Sequence, residues 1–433
     1  MLHIGAIRQY IVSAMSPCGV PQETCLLPPT FYDVRKYVDA DMYRAIGEDV
    51  ESLKKNGTTD ALHDLENFPS RIEEIWQRQY KKLIEAASRE QGLPPTVIQR
   101  ETERDPETWN IIEWQHRELS TRYYAFLNFE LFGTKTFYLQ DGLVQHLACT
   151  EMNVVAPLLE LPFPACMFVL TSRESIDALY RMHWAAHPEQ RGRKLIDYKA
   201  PISVFLVLTQ KAPDQPYRQL NIITFHANRE KCHLMVSRRL CLHDDWTLLE
   251  ALTTDWANLD TQIEKRKHVD AEGQWETVED SLFYSHGLLF FRIILNAVLY
   301  ISSADAELEH RPSDQETAKQ EIERIPSRVK RHELKQAARH ASRLPYIVVG
   351  ASIPAAEDIP TSAPEAKRSL SVRFTVRGHW RHQACGPGLK DHVLRFIKPY
   401  IKGPEMAYLI NKPYLVKKSL FESLHQNSPS IGS

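Results

Sequence analysis

The segment APISVFLVLTQ, residues 200–210, holds an almost unbroken apolar run from Ile202 to Leu208. Continuous runs of β-branched and aromatic residues read as strands buried inside a sheet rather than laid on a surface. PACMFVLTS (164–172), QLNIITFHA (219–227) and CHLMVSRR (232–239) share that texture. ESIDALYRMHWAAH (174–187), lying between them, has helical spacing. Residues 161–240 therefore read as a small mixed sheet with at least one helix on a face.

The preceding region has a different period. In FPSRIEEIWQRQYKKLIEAASREQG (68–92), Ile72, Ile75, Trp76, Tyr80, Leu83 and Ile84 recur three and four residues apart, as on one face of a helix. Ser70 with Glu73 has capping-box spacing, and Gly92 suits the C-terminal stop. Residues 32–55 and 107–132 are also expected to be helical, the latter with a face of Trp109, Ile112, Trp114, Leu119, Tyr123 and Phe126. Helices are expected again at 245–262, with Asp244-Asp245 as its N-terminal cap, at 280–301 and at 314–341, and a short strand at 346–350. The fold class is α+β: a helical N-terminal half, a small central mixed β-sheet and a basic C-terminal β-hairpin module. At 433 residues the chain is long for one core. Its segments read as an irregular stretch at 1–30, a mainly helical region at 31–160, mixed sheet plus helices at 161–343, a strand and Pro/Ala/Ser-rich linker at 344–369, and the basic hairpin with its tail at 370–433.

Charge is unevenly spread. Arg324 to Ser433 holds 19 Lys and Arg against 7 Asp and Glu, while the whole chain is only −2. A basic quarter on an acidic body suits a polyanion ligand or contact between the two parts. The seven cysteines are odd in number and include no CxxC pair, which points to a reducing compartment and a cytoplasmic protein. The most apolar run, LLFFRIILNAVLYI (288–301), is too short for a membrane span and contains Arg292 and Asn296, so it reads as a buried helix.

The densest chemistry lies in SVRFTVRGHWRHQACGPG (371–388). As a strand it places Val372, Phe374, Val376 and Trp380 on one face, and Arg373, Thr375, Arg377, His379 and Arg381 on the other. Gly386-Pro387-Gly388 permits a reversal, and DHVLRFIKPYIKG (391–403) returns with Arg395, Lys398 and Lys402. Arginine forks match phosphate oxygens, and exposed Trp380, Phe396 or Tyr400 would stack on bases. Arg373, Arg377, His379, Trp380, Arg381, Gln383, Arg395, Lys398, Tyr400 and Lys402 are therefore the expected nucleic-acid-binding residues, for DNA or RNA. One alternative is a phosphodiester- or nucleotide-acting enzyme with His379 as general base between arginines. Another is an interaction protein whose basic module docks on an acidic protein surface. No cofactor and no membrane partner are expected, and the oligomeric state is left open.

This block, VRGHWRHQACGPG followed by FIKPYIKGPE, resembles the C-terminal block of uncharacterised proteins of bacteria, phages and mobile elements. The matching positions are Val376, Arg377, Gly378, His379, Trp380, Arg381, Gln383, Gly386, Ile397, Pro399, Tyr400 and Gly403. The resemblance covers roughly 60 residues. It implies a phage or mobile-element context and no activity.

Other constellations are weaker. His183 and His187 stand at i and i+4 in RMHWAAH, but Trp184 replaces the glutamate of an HExxH motif. Arg181 and His187 also match a loose ribonuclease spacing. Cys232, Cys241 and His243, with His233, form a Cys/His group unlike a zinc knuckle. Asp197-x-Lys199, with Glu174 or Asp177, and Asp358 with Glu365-x-Lys367 are nuclease-like fragments.

Overall fold

The computed structural model describes residues 40–62, 69–186, 201–211, 215–227, 232–255, 280–312, 345–354, 374–376 and 378–402. Four helices come first: α1 (Ala40–Lys55), α2 (Pro69–Gln91), α3 (Pro95–Arg104) and α4 (Pro106–Leu131). The periodic face of α2 is buried from Ile72 to Ile84. Gly92, at φ +64°, ends it in the left-handed conformation that a side chain disfavours. Ser70 lies inside α2 rather than ahead of it. Helix α3, not expected from the sequence, begins on a proline, whose fixed φ suits a first turn. Asp105 separates α3 from α4: its backbone is extended and its carboxylate accepts from Thr108 N at 3.3 Å. Ile112, Leu119, Tyr123 and Phe126 of α4 are buried, but Trp109 is 37% exposed and leaves the expected apolar face. The Trp114 side chain lies outside the described residues.

The sheet follows. Its parts are β1 (Thr136–Leu139), α5 (Asp141–Ala148), β2 (Ala165–Leu170), α6 (Arg173–Ala186), β3 (Ile202–Thr209), β4 (Arg218–Ala227), β5 (Cys232–Leu242), α7 (Asp280–Ile301), β6 (Leu308–Arg311) and β7 (Tyr346–Val349). Among the described residues these strands make one seven-stranded sheet, in the order β5-β4-β3-β2-β1-β7-β6. β1 runs parallel to both β2 and β7, and every other neighbouring pair is antiparallel. The α+β class holds. The sheet is wider than the sequence suggested, because β1 lies in the stretch read as helical and β6 was not anticipated.

Alternation along the strands creates two cores. Cys166, Phe168 and Leu170 of β2 point into one, with Val204 and Leu206 of β3, and are covered by α5, α6 and α7. Ala165, Met167 and Val169 point into the other, with Phe205 and Val207, and are covered by α1 to α4. The result is three layers, with the sheet between two sets of helices. Helix α7 is buried on all sides from Phe290 to Tyr300 apart from Arg292, as a helix with no polar face requires. In the outer helical layer the buried Tyr123 hydroxyl donates to Asp49, which also pairs with Arg71 at 3.5 Å. Burial and the Asp49 contact hold the phenol far above its ordinary range.

The expected cap of the 245–262 helix is corrected. Helical residues begin at 248, and Thr247 with Glu250 forms a capping box: Glu250 N donates to Thr247 Oγ1 at 3.2 Å, and Thr247 N to Glu250 Oε2 at 2.7 Å. Asp244 instead pairs with Lys211. Residues 32–39 of the helix expected at 32–55, residues 256–262 of that expected at 245–262, and the whole helix expected at 314–341 lie outside the described residues.

Phe205 is the centre of the sheet-to-helix contact, with ring centroids 5.0 Å from Phe126, 5.2 Å from Phe129 and 5.7 Å from Phe225. Phe205→Ala is expected to lower stability by about 3–5 kcal/mol in urea unfolding, while Trp109→Ala on the same layer stays within about 0.5 kcal/mol.

Candidate functional site

The C-terminal block folds as two short ribbons. β8 (Phe374–Val376) pairs with β11 (Tyr400–Lys402), and β9 (His379–Cys385) with β10 (Asp391–Ile397), all antiparallel. The reversal falls at Gly386-Pro387-Gly388, where both glycines have φ above +70°. The strand expected over 371–381 is interrupted at Gly378, and its partner strand at Lys398-Pro399. Proline has no N–H for the ladder. Gly378 is needed for a closer reason: a Cβ there would meet Thr150 Oγ1 at 2.5 Å and Pro399 Cδ at 3.0 Å.

The β9–β10 ribbon is seated on the core by its inner face. Trp380 stands opposite Phe396, their rings 5.0 Å apart, and Phe396 meets Tyr300 of α7 edge-on at 5.5 Å. Trp380 Nε1 donates to Asn296 Oδ1 at 2.8 Å. The Asn296 amide nitrogen donates in turn to the carbonyls of Leu147 and Thr150, at 3.2 and 3.1 Å. These carbonyls belong to the end of α5 and the turn after it. Glu151 N closes the seat by donating to Gly378 O at 3.1 Å. Asn296 is fully buried, so all of its bonds are made in a site without competing water.

Charge is offset in the same place. Arg381 and Arg395 oppose each other across the ladder, a destabilising arrangement for like charges. Asp305 counters it: Arg395 Nη1 reaches Asp305 Oδ1 at 3.0 Å, and Phe396 N donates to Asp305 Oδ2 at 3.1 Å. Lys398 lies 4.0 Å from Glu307. These pairs are part-exposed and contribute modestly, about 0–1 kcal/mol each.

Of the ten residues expected to bind nucleic acid, the structure gathers His379, Arg381 and Gln383 on the ribbon's exposed outer side, with Arg395 across from them. Trp380 is half-buried and bonded, and Phe396, expected to stack on bases, is buried, so neither offers a free ring face. Tyr400 is 40% exposed on the other ribbon. Arg373, Arg377 and the Lys402 side chain lie outside the described residues.

The metal candidates separate. Cys232 and Cys241 occupy opposite ends of β5, nine residues apart, which at about 3.3 Å per residue is roughly 30 Å. The ring of His243 packs at a tilt against Tyr217, centroids 4.8 Å apart, and against Trp246 at 4.2 Å. Burial raises the Cys241 thiol above its ordinary value, against thiolate formation. His187 and the His183 side chain lie outside the described residues, as do Asp197, Lys199, Asp358, Glu365 and Lys367. Glu174 instead accepts from Gln145 at 3.2 Å, and Asp177 pairs with Arg173 at 3.7 Å. Among the described residues no cluster of three or more His, Cys, Asp or Glu has metal-binding geometry.

Sequence reasoning missed the seat: Asn296, Asp305, Glu307, Thr150 and the tight position of Gly378. One signal was present. Arg292 and Asn296 interrupt an otherwise apolar helix, and each now bonds to the end of α5, Arg292 through Ala148 O at 3.4 Å.

Two predictions follow from this packing. Asn296→Leu strands the Trp380 N–H and the Thr150 carbonyl and is expected to cost at least about 2 kcal/mol in denaturant unfolding, at about 1–3 kcal/mol per orphaned group. The second concerns His146, buried on α5. Burial lowers its pKa, opposed by the nearby Pro354 backbone and reinforced by the Lys398 charge. A histidine held neutral in the fold stabilises above its unfolded pKa of about 6.5, and that contribution is lost as pH falls below it. Wild-type stability is expected to drop below about pH 6.5 more steeply than that of His146→Gln, as read by thermal melts across pH 5–8.

No curated protein matches the chain significantly. Among solved structures, one described as the crystal structure of AcrVA2 aligns at 11% identity with a TM-score of 0.38, over 85% of this chain and 95% of that one. The AcrVA2-like model, described as the Anti-CRISPR type V subtype A2 family, matches residues 138–403, from β1 through the ribbons. This match overturns the expectation of a protein that binds DNA or RNA phosphates through a basic hairpin. The chain belongs to the AcrVA2-like anti-CRISPR family.

Proposed function

We propose that this protein is an inhibitor of a type V CRISPR system, carried by a phage or mobile element and acting inside the bacterial cell by binding a protein component of that system. Membership of the Anti-CRISPR type V subtype A2 family carries this reading. The matched span takes in strands β2 to β7, α7 and both ribbons. The local resemblance of VRGHWRHQ to proteins of phages and mobile elements agrees with the proposed origin. Among the described residues no helix is long and apolar enough to cross a membrane.

The test is a plasmid-interference assay. Cells carrying an active type V system are transformed with a targeted plasmid, with and without this protein. Expression is expected to restore transformation to the level of an untargeted plasmid. Transformation that stays suppressed while immunoblots show the protein present would overturn the reading. Asn296→Leu is expected to reduce protection in proportion to its lost stability.

A further inference from the structure

Where α5 ends, the surface dips into a hollow of about 100 Å³. Its wall is the turn from Cys149 to Asn153, and Leu249 of the 248–255 helical segment and Arg292 of α7 line its sides. The same turn holds the root of the ribbon, through the Glu151 N to Gly378 O bond. Every side is tied to the core: the turn by Asn296, the 248–255 segment by Leu248 N donating to Val154 O at 2.9 Å. The hollow is therefore a fixed shape that needs little ordering when it is filled.

Size narrows the occupant. Cofactor and drug-sized pockets run to about 300–1,000 Å³. A cavity of about 150 Å³ takes a benzene ring. An open hollow smaller than either admits the leading part of one side chain, the edge of a ring or the end of a short chain. Chemistry narrows it further. The Arg292 guanidinium suits a ring face. The Met152 thioether suits a ring edge, and Leu249 gives apolar contact. Asn153 Nδ2 donates to Glu151 Oε2 at 3.5 Å, and a carboxylate, with about four lone-pair sites, can accept a phenol or indole proton besides the bonds it already makes. An aliphatic side chain would use little of this lining, and a carboxylate would meet Glu151.

From this geometry we infer that the hollow is the anchor pocket for a single aromatic side chain, tyrosine best of all, presented by the protein this chain binds. The inference rests on the reading that the partner is a protein. Aromatic anchors in small desolvated pockets are the usual centres of binding energy at protein interfaces.

The test uses the full chain labelled with [13C-methyl]methionine and titrated with N-acetyl-tyrosinamide. The Met152 methyl signal, assigned through Met152→Leu, is expected to shift saturably with Kd about 1–10 mM, as one small ligand allows. N-acetyl-leucinamide is expected to leave it in place. Asn153→Trp, blocking the mouth from an exposed position, should weaken the amide at least about tenfold, and Gln99→Trp on α3 should not. No saturable shift, or an equal shift with the leucine amide, overturns the pocket. The readout involves no CRISPR activity. Binding by a chain that fails to protect a targeted plasmid would leave the pocket standing and sink only the functional reading.

Discussion

A strand that is apolar on both sides has to be covered twice, and the architecture follows from that. Phe205 and Val207 of β3 face the N-terminal helices, while Val204 and Leu206 face α5, α6 and α7. Neither set of helices suffices alone, since each leaves a full sheet face in water. Transfer of apolar area from water, about 25 cal/mol per Å², therefore couples the two ends of the sequence through the sheet.

The second constraint is polar. A buried asparagine is tolerable only when its amide is used on both sides, and Asn296 achieves this by collecting the end of α5 and the indole of Trp380. Its place in α7 thus decides where the ribbon sits. Asp305 adds a carboxylate shared between the Arg395 side chain and the Phe396 backbone. The ribbon is held by its inner face and by the Arg395–Asp305 pair.

Long periodic elements were legible in the sequence because periodicity is local. α2, α6, α7 and strands β2 to β5 fall where their patterns place them. Of the four-residue strands only β7, an apolar run of β-branched residues, was legible; β1 and β6 are too short to establish a period, and β1 is a strand because β2 and β7 flank it. The glycine-rich reversal was readable from Gly386 and Gly388, whereas the break at Gly378 depends on Thr150, a residue far away in sequence. Cationic spacing suggested a nucleic-acid chemistry that the family match overturns. Alternation tells which residues share a face, but Trp380 faces inward because of Asn296, and Arg395 is neutralised by Asp305. Both partners lie in other elements. The hollow beside α5 has no linear signature at all, being lined from three separate stretches.

The position of β1 also sets an order of assembly. Phe137 pairs with Phe168 on one side and with Ile347 on the other. On a growing chain the first pairing is available early, and the second waits for almost all of the sheet to be synthesised. Until then β1 is an open edge, and until the ribbon emerges Asn296 lacks the indole that completes it. Non-local closure of this kind is slow and leaves apolar surface uncovered meanwhile. The last-made part of the matched region is thus the clasp for the middle of the chain, so a chain stopped before Trp380 would have its strands but not its lock.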